Sequence, residues 1–169
     1  MINNAKAVII LGSSRSDGNM ASICNQIAKQ LDLSIIDLSA HNISPYDYEH
    51  NNEEDDFLPL IESLISDYEI FIFATPVYWY AMSATLKIFF DRLSDLLTIR
   101  KELGRKLRNK DTIVVTSSIG NHLGNDFWLP FYATFNYLGM NFKYHTHFLH
   151  DSIEIGDIKS IQQNIKKAV

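Results

Sequence analysis

The nine residues GSSRSDGNM, from Gly12 to Met20, separate a short apolar run from a helical pattern and decide how the chain folds at this point. The run before them, AVIIL at 7–11, is typical of a strand covered on both faces of a parallel sheet. After them, apolar residues recur at three-and-four spacing, which predicts a helix with one buried stripe. The members of that stripe are Met20, Ile23, Cys24, Ile27, Ala28 and Leu31. The quoted stretch is therefore a strand-to-helix loop of small polar residues.

The alternation of strands and helices continues along the chain. Continuous β-branched or aromatic runs at 70–74 and 112–116 predict two more buried strands, with a weaker strand at 33–38 and an alternating one at 141–148. A strand and helix order of this kind predicts an α/β fold, with a parallel sheet and helices on both faces. The 169 residues show no linker or repeat, so a single domain over 1–169 is predicted.

Further helices follow from apolar spacing over 82–97, 127–138 and 158–165. The acidic run at 53–56 suits the first turn of another helix, because a helix N-terminus favours negative charge. The six cationic residues within 100–110 are expected to form a solvated loop ahead of the fourth strand.

Composition excludes several function classes. The net charge of −5 argues against a nonspecific grip on nucleic acid. The single cysteine, Cys24, allows neither an internal disulfide nor a cysteine-ligated cluster and fits a reducing cytoplasm. The polar residues 1–6 run into only five apolar residues, too few for a signal peptide or a membrane span. We expect a cytoplasmic protein that binds neither nucleic acid nor membrane.

Three loops follow predicted strands, at 12–19, 75–81 and 117–125, and ligands of open α/β sheets bind at such strand ends. The first loop offers backbone N–H groups, a helix N-terminus and neutral donors, which favour a phosphate. These neutral donors are Ser13, Ser14, Ser16 and Asn19. The loop has neither a Walker lysine nor the G-x-G-x-x-G spacing, so it suits a terminal monophosphate. The alternative is that Asp17 or Asn19 only caps the helix.

The second loop contains three consecutive aromatic residues, Tyr78, Trp79 and Tyr80. They cannot all enter one core from a loop, so at least one is expected to be exposed or to line a pocket. Such a wall suits a flat heteroaromatic ring. The alternative is that Tyr78 and Trp79 fill the junction of helix and sheet.

These segments together carry a family resemblance. LGSSRSDGN at 11–19, ATPVYWYAMSATLKIFFDRL at 74–93 and TSSIGN at 116–121 resemble, in this order, the flavin-contacting segments of the flavodoxin-like NADPH-dependent FMN reductase family. The resemblance implies non-covalent FMN and a three-layer sandwich whose five-stranded parallel sheet has the order 2-1-3-4-5. One departure is Asn19-Met20, where the family often has Ser or Asn followed by Thr.

The resemblance also implies which residues hold the flavin. The phosphate-loop positions are Ser13, Arg15, Ser16, Asn19 and Met20. The positions beside the ribityl chain and ring are Pro76, Val77, Tyr78 and Trp79. The positions near the pyrimidine side of the ring are Ser117, Ser118, Ile119 and Gly120.

Function follows from the cofactor that the resemblance implies. A flavin ring itself accepts hydride, so no catalytic acid, base or nucleophile is needed, and we identify none. The expected activity is hydride transfer from NADPH or NADH, through FMN, to a flavin, quinone or azo-type small-molecule acceptor. Members of the family are commonly dimers or tetramers, so a homodimer or homotetramer is implied. The alternatives are a flavodoxin-type electron carrier reduced by a protein partner, and a flavin-free binding module.

The remaining polar residues are interpreted as structural. Lys87 and Asp91 are four apart on one helix and are expected to pair at its surface; with Arg92 they have an architectural or subunit-contact role. The histidines at 145, 147 and 150 have possible metal spacing, but a partly exposed last strand with satisfied histidines is commoner, and we predict no metal site. Cys24 is interpreted as a small core residue.

Overall fold

A parallel sheet forms the centre of the structure, a computed structural model that describes residues 6–166. The strands are β1 (Ala7–Leu11), β2 (Ser34–Asp37), β3 (Ile70–Tyr78), β4 (Ala81–Met82), β5 (Asp111–Ser118) and β6 (Asn141–Leu149). Their order across the sheet is β2-β1-β3-β5-β6, and the two-residue β4 pairs only with the end of β3, antiparallel. With β4 set aside, this is the predicted order 2-1-3-4-5, and the predicted fold class is confirmed.

Helices cover both faces of the sheet. They are α1 (Asn19–Leu31), α2 (Phe57–Asp67), α3 (Ala84–Arg92), α4 (Asp95–Thr98), α5 (Lys101–Lys106), α6 (Leu129–Leu138) and α7 (Ile155–Lys166). Alternate β1 side chains enter the two cores: Ile9 lies in the core formed with α1 and α7, and Ile10 in the core formed with α2 to α6. A helix follows the acidic run at 53–56, but it begins only at Phe57, so the prediction that these acids form its first turn is wrong.

The helix predicted over 82–97 is not continuous. Met82 lies in β4, α3 ends at Arg92, and Leu97 lies in the separate α4 with 41% of its surface exposed. Between α3 and α4 the N–H groups of Leu93 and Ser94 donate to carbonyl oxygens three residues earlier, so the chain there has the tighter winding of a 3₁₀ turn. The prediction of one continuous helix failed because the spacing of apolar residues does not reveal this change of winding.

The cationic segment 100–110 was also predicted wrongly. It contains the helix α5 instead of a solvated loop. Leu103 and Leu107, four residues apart, are both 1% exposed and anchor this segment in the core. The cationic side chains surround that two-residue apolar stripe, which was the overlooked signal.

Arg92 stabilises the long irregular connection that precedes α2, through contacts with Ser44 and Asp55. Its guanidinium is fully buried and donates to Asp95 at 2.7 Å, to a carboxylate oxygen of Asp55 and to the carbonyl of Ser44 at 3.1 Å. It also lies 4.8 Å from the centre of the Phe57 ring. Arg92 is therefore part of the architecture, at the end of α3 remote from the loops after the strands.

Within residues 6–166, no helix is both long and apolar enough to cross a bilayer. The polar segment 1–6 that entered the prediction about signal peptides lies, apart from Lys6, outside the described residues.

Candidate functional site

Three loops meet because β1, β3 and β5 are neighbours and run parallel. Between the loops lies a cavity of about 390 Å³. Its lining consists of Ser13, Arg15, Gly18, Asn19, Met20, Pro76, Val77, Tyr78, Ser117, Ser118 and Ile119. Ten of these were predicted from the sequence as cofactor-binding residues. Gly18 was missed, although a glycine directly before a helix pattern marks a place where a ligand can approach the backbone closely.

The first loop is shaped by a close contact at Gly12. Its N–H donates to the carbonyl of Ala74 at 2.8 Å, and a Cβ at Gly12 would lie 2.5 Å from Cβ of Leu86. Only glycine therefore fits where the loop leaves β1. Ser13 beside it is buried, and its Oγ accepts from the N–H of Arg15 at 3.2 Å.

The N-terminus of α1 opens onto this loop. Its N-cap is Gly18, and in the described part of the chain no side chain caps the helix, so the alternative that Asp17 or Asn19 is the cap is wrong. The first-turn N–H groups thus have no side-chain partner, which suits an anion. The Arg15 side chain is 67% exposed and lies 3.6 Å from Asp17, so its charge is partly compensated at the surface.

The second loop is a tight hairpin. Tyr78 pairs with Ala81 across β3 and β4, and the two residues between them, Trp79 and Tyr80, have φ of 49° and 61°. Two left-handed residues define a type I′ turn, which normally selects Asn and Gly. Trp79 is 93% exposed and Tyr80 is 68% exposed, as expected for at least one of the three aromatic residues.

A smaller cavity of about 240 Å³ adjoins the first one. Its lining consists of Val77, Trp79, Tyr80, Ser118, Gly120, His122 and Leu123. The two predicted residues Trp79 and Gly120 belong here instead of to the larger cavity. Val77 and Ser118 line both cavities, so these two residues mark the boundary.

The remaining two predicted residues, Ser14 and Ser16, line neither of these two cavities. Ser16 borders a separate surface depression beside α1, and its Oγ lies 3.4 Å from Oγ of Ser39. Ser14 is exposed. Proximity in sequence to the phosphate loop was the signal for both, and it does not specify where a side chain points.

Ser83 joins the loops and was missed by the sequence analysis. It is 1% exposed, its Oγ donates to the carbonyl of Gly12 at 2.6 Å, and it caps α3 by accepting from Leu86 N–H at 3.1 Å. Its own N–H donates to Thr75 Oγ1 at 3.0 Å. The signal was a serine near the start of the helix pattern predicted over 82–97, since serine is a common N-cap.

The third loop carries a contact to the last strand. Ser118 Oγ lies 2.8 Å from the carbonyl oxygen of Gly120 and 2.7 Å from Nε2 of His147. Burial lowers the pKa of His147 below its ordinary value, and the same cause lowers the pKa of His145. Both rings are therefore neutral near pH 7.

The histidine strand shows no metal arrangement. The His145 ring lies against Trp128 with ring centres 4.1 Å apart, and among residues 6–166 no three potential ligands gather around one point. Cys24 is completely buried in the core, and burial raises the pKa of its thiol, so it is unreactive in the folded protein.

The residues of the larger cavity fit FMN. One end presents uncapped helix N–H groups and neutral donors for a phosphate, and the other presents Val77, Tyr78 and Ile119 as apolar surface for a ring. Ser117 and Ser118 supply polar groups at the edge of that surface.

The fold and this cleft define the chain as a flavodoxin-like α/β protein. The sequence profile described as NADPH-dependent FMN reductase matches residues 5–143, and the chain belongs to this family. FMN is the cofactor of the family, and NAD(P)H is its substrate.

Individual relatives agree with the family. YwqN of Bacillus subtilis (strain 168), named as an NAD(P)H-dependent FMN-containing oxidoreductase, is 31% identical over 150 residues, which cover 82% of this chain and 81% of that protein. The solved structure of the Trp repressor binding protein from Bacillus subtilis has 28% identity and a TM-score of 0.64, covering 96% of this chain and 95% of that one. General stress protein 14 from Treponema denticola, solved in complex with FMN, shares the fold at 15% identity and a TM-score of 0.60, covering 96% and 95%.

Proposed function

We propose that this protein transfers hydride from NAD(P)H, through bound FMN, to a small flavin, quinone or azo-type acceptor. The observation that carries this proposal is the pair of adjoining cavities, of about 390 and 240 Å³, which share Val77 and Ser118. The larger one suits the cofactor. The smaller one, with exposed aromatic side chains, suits the flat ring of a second reactant.

In this proposal the residues of the chain bind FMN and orient it toward the second reactant. FMN, when bound, supplies the redox chemistry by accepting hydride and passing electrons on. Ser13, Asn19 and the first turn of α1 hold the phosphate with neutral donors. Val77 and Tyr78 form a wall for the ring. Trp79 and Tyr80 leave the neighbouring cavity open for NAD(P)H and then for the acceptor.

The first experiment is an absorption spectrum of the purified protein, followed by anaerobic NADPH and then NADH. We expect a yellow protein that bleaches rapidly with a nicotinamide donor, and the faster donor identifies the preferred nucleotide. A yellow protein that bleaches only with dithionite is instead a flavodoxin-type carrier. A protein that stays colourless with added FMN contradicts the proposal.

The phosphate loop is tested by replacing Ser13 and Asn19, which line the larger cavity, together with alanine. Hydrogen bonds to a charged group contribute about 1.5–3 kcal/mol each, so the loss of two such bonds weakens FMN binding roughly a hundredfold or more. Flavin fluorescence titration measures the affinity, and circular dichroism verifies the fold. The matched control is Ser14→Ala, at an exposed serine of the same loop. Unchanged affinity in a folded double variant contradicts this assignment.

We further propose a homodimer or homotetramer located in the cytoplasm. Support for assembly comes from large exposed side chains on α6, where Leu129, Tyr132 and Tyr137 are 61%, 58% and 75% exposed. Light scattering of the protein and of a Tyr132→Ser, Tyr137→Ser variant tests the assembly, and cell fractionation tests the location. A monomeric parent protein contradicts the first proposal.

A further inference from the structure

The donor and acceptor roles around the Ser118 hydroxyl follow from elementary chemistry. The Gly120 carbonyl oxygen, 2.8 Å from Ser118 Oγ, can only accept a hydrogen bond, so it takes the single hydroxyl proton. The contact of 2.7 Å between the same Oγ and Nε2 of His147 then needs a proton on Nε2. His147 is therefore the donor, and Ser118 is the acceptor.

The protonation state of the His147 ring follows from the same contact. Because burial lowers the pKa of His147, the ring is neutral near pH 7 and carries one proton. That proton is on Nε2, which leaves Nδ1 unprotonated. Even when the ring is charged at low pH, Nε2 still donates, so the direction of the bond does not change.

The two strands hold this contact in place. The pairing of β5 with β6 sets Thr116 opposite His147 and Ser118 opposite Leu149. The carbonyl of Ser118 also accepts from the N–H of His150 at 2.9 Å. Both the backbone and the side chain of Ser118 are thus fixed to the last strand.

The consequence for the cleft is that the Ser118 hydroxyl has a fixed hydrogen-bonding role. With its proton directed to Gly120, the Ser118 hydroxyl has only a lone pair left for a ligand, so toward the two cavities that it borders it is an acceptor. A ligand that presents an N–H there gains a hydrogen bond, and one that presents a carbonyl oxygen meets like polarity. The pyrimidine part of a flavin ring has a single N–H, between two carbonyl groups.

We propose that His147 is a positioning residue of the site, which holds the Ser118 hydroxyl as a fixed acceptor for the ring N–H of the flavin. The inference rests on the proposed function, because it takes FMN as the ligand of the larger cavity. His147 acts through Ser118, so it is tested with readouts other than turnover.

The first test needs no flavin. Nitrogen-15 NMR of the labelled protein, freed of FMN, distinguishes the two neutral tautomers of each histidine ring, and comparison with a His147→Gln sample assigns the signal. We expect His147 to carry its proton on Nε2. A proton on Nδ1 overturns the inference, whatever the protein binds.

The second test measures FMN affinity by fluorescence titration. His147→Leu removes the donor, frees the hydroxyl to rotate and is expected to weaken FMN binding about tenfold. His147→Gln retains an N–H donor and is expected to restore affinity to within about threefold of the parent protein. The bound flavin spectrum should shift in the Leu variant only, because the hydrogen bond at the ring edge changes.

His145→Leu is the matched control, because His145 lies two residues away on the same strand but packs against Trp128. Equal affinity in the two Leu variants overturns the inference. Failure of the parent protein to bind FMN overturns the proposed function, while the tautomer still decides whether His147 fixes the Ser118 hydroxyl.

Discussion

Ser83 and Arg92 stand at the two ends of helix α3, inside the same twenty-residue segment that resembles the reductase family. At the first end all contacts are neutral hydrogen bonds, such as that of 2.6 Å from Ser83 to the Gly12 carbonyl, and they join the loops of the cleft. At the second end a fully buried guanidinium meets two carboxylates, Asp55 and Asp95. One motif therefore has two tasks: its first half shapes the ligand cavity, and its second half stabilises the chain remote from that cavity.

The largest expected effect is at the charged end. Arg92→Met leaves Asp55 and Asp95 buried without their partner, so we expect unfolding free energy to fall by about 3–5 kcal/mol. Urea denaturation measures the change, and FMN affinity of the folded fraction should remain close to that of the parent. The control Lys87→Met breaks an exposed pair with Asp91 on the same helix and should cost less than about 0.5 kcal/mol. Equal losses in the two variants contradict the architectural role of Arg92.

The contact between Asp55 and Arg92 makes the stability of the protein depend on pH in the acid range. Burial by itself would raise the pKa of Asp55, but hydrogen bonds from Arg92 and from the N–H groups of Ser44 and Phe57 outweigh it and hold the pKa below its ordinary value. Its stabilising contribution is therefore present above the pKa of the unfolded chain, about 3.9, and is lost as pH falls through the lower pKa of the folded state.

An Asp55→Asn variant tests this dependence. We expect it to lose about 2–3 kcal/mol at pH 7, because Arg92 keeps only one carboxylate. The gap to the parent protein should narrow below about pH 4, since Asp55 of the unfolded parent chain is then protonated and Asp55 of the folded parent follows at lower pH. Unfolding free energies measured at pH 7 and between pH 4 and pH 2.5 provide the comparison, and a constant gap contradicts the prediction.

Ser83→Ala tests the neutral end. It removes the cap of α3 and the donor to the Gly12 carbonyl, with an expected loss of about 1–2 kcal/mol. Because Gly12 begins the phosphate loop, FMN affinity should fall as well, unlike in Arg92→Met. Ser94→Ala is the control, since Ser94 precedes α4 without making a side-chain cap bond. If Ser83→Ala and Arg92→Met affect FMN affinity equally, the division of the motif between two tasks is wrong.

The smallest expected effect has the opposite sign and concerns the hairpin before α3. Trp79 and Tyr80 occupy left-handed positions that favour Asn and Gly, so the double change Trp79→Asn, Tyr80→Gly should stabilise the protein by about 1 kcal/mol. Little packing is lost, because both side chains are mostly exposed. Thermal unfolding measures the shift. A lower melting temperature would show that the aromatic side chains themselves stabilise the turn.

Much of the fold was predictable because its signals are local. β1, β3 and β5 contain continuous apolar runs, β2 and β6 give weaker or alternating patterns, and each of the helices α1, α2, α6 and α7 shows periodic apolar residues in the sequence. The errors concern Met82, which lies in β4, and the segment from Leu93 to Lys110, where short helices have few buried side chains such as Leu103. Such helices have too few residues for a periodic pattern to develop.

The site was predictable at the level of loops but not of individual atoms. All three loops meet as the strand order requires, and ten of the fourteen predicted residues line the larger cavity. Ser16 and Trp79 point elsewhere, because a loop residue's direction depends on the turn that contains it. Ser83 and His147 were missed, because their contacts with the cleft residues Gly12 and Ser118 join positions far apart along the chain.

The sequence by itself determined the alternation of the five parallel strands with the longer helices, the three loops and the family, since these depend on residues that are close together along the chain. The tertiary structure decided which polar groups meet. Ser83 and Gly12 are 71 residues apart, Arg92 and Asp55 are 37 apart, and His147 and Ser118 are 29 apart. Hydrogen bonds over such separations depend on register and helix placement, which are settled only when the whole sheet and its two cores have packed.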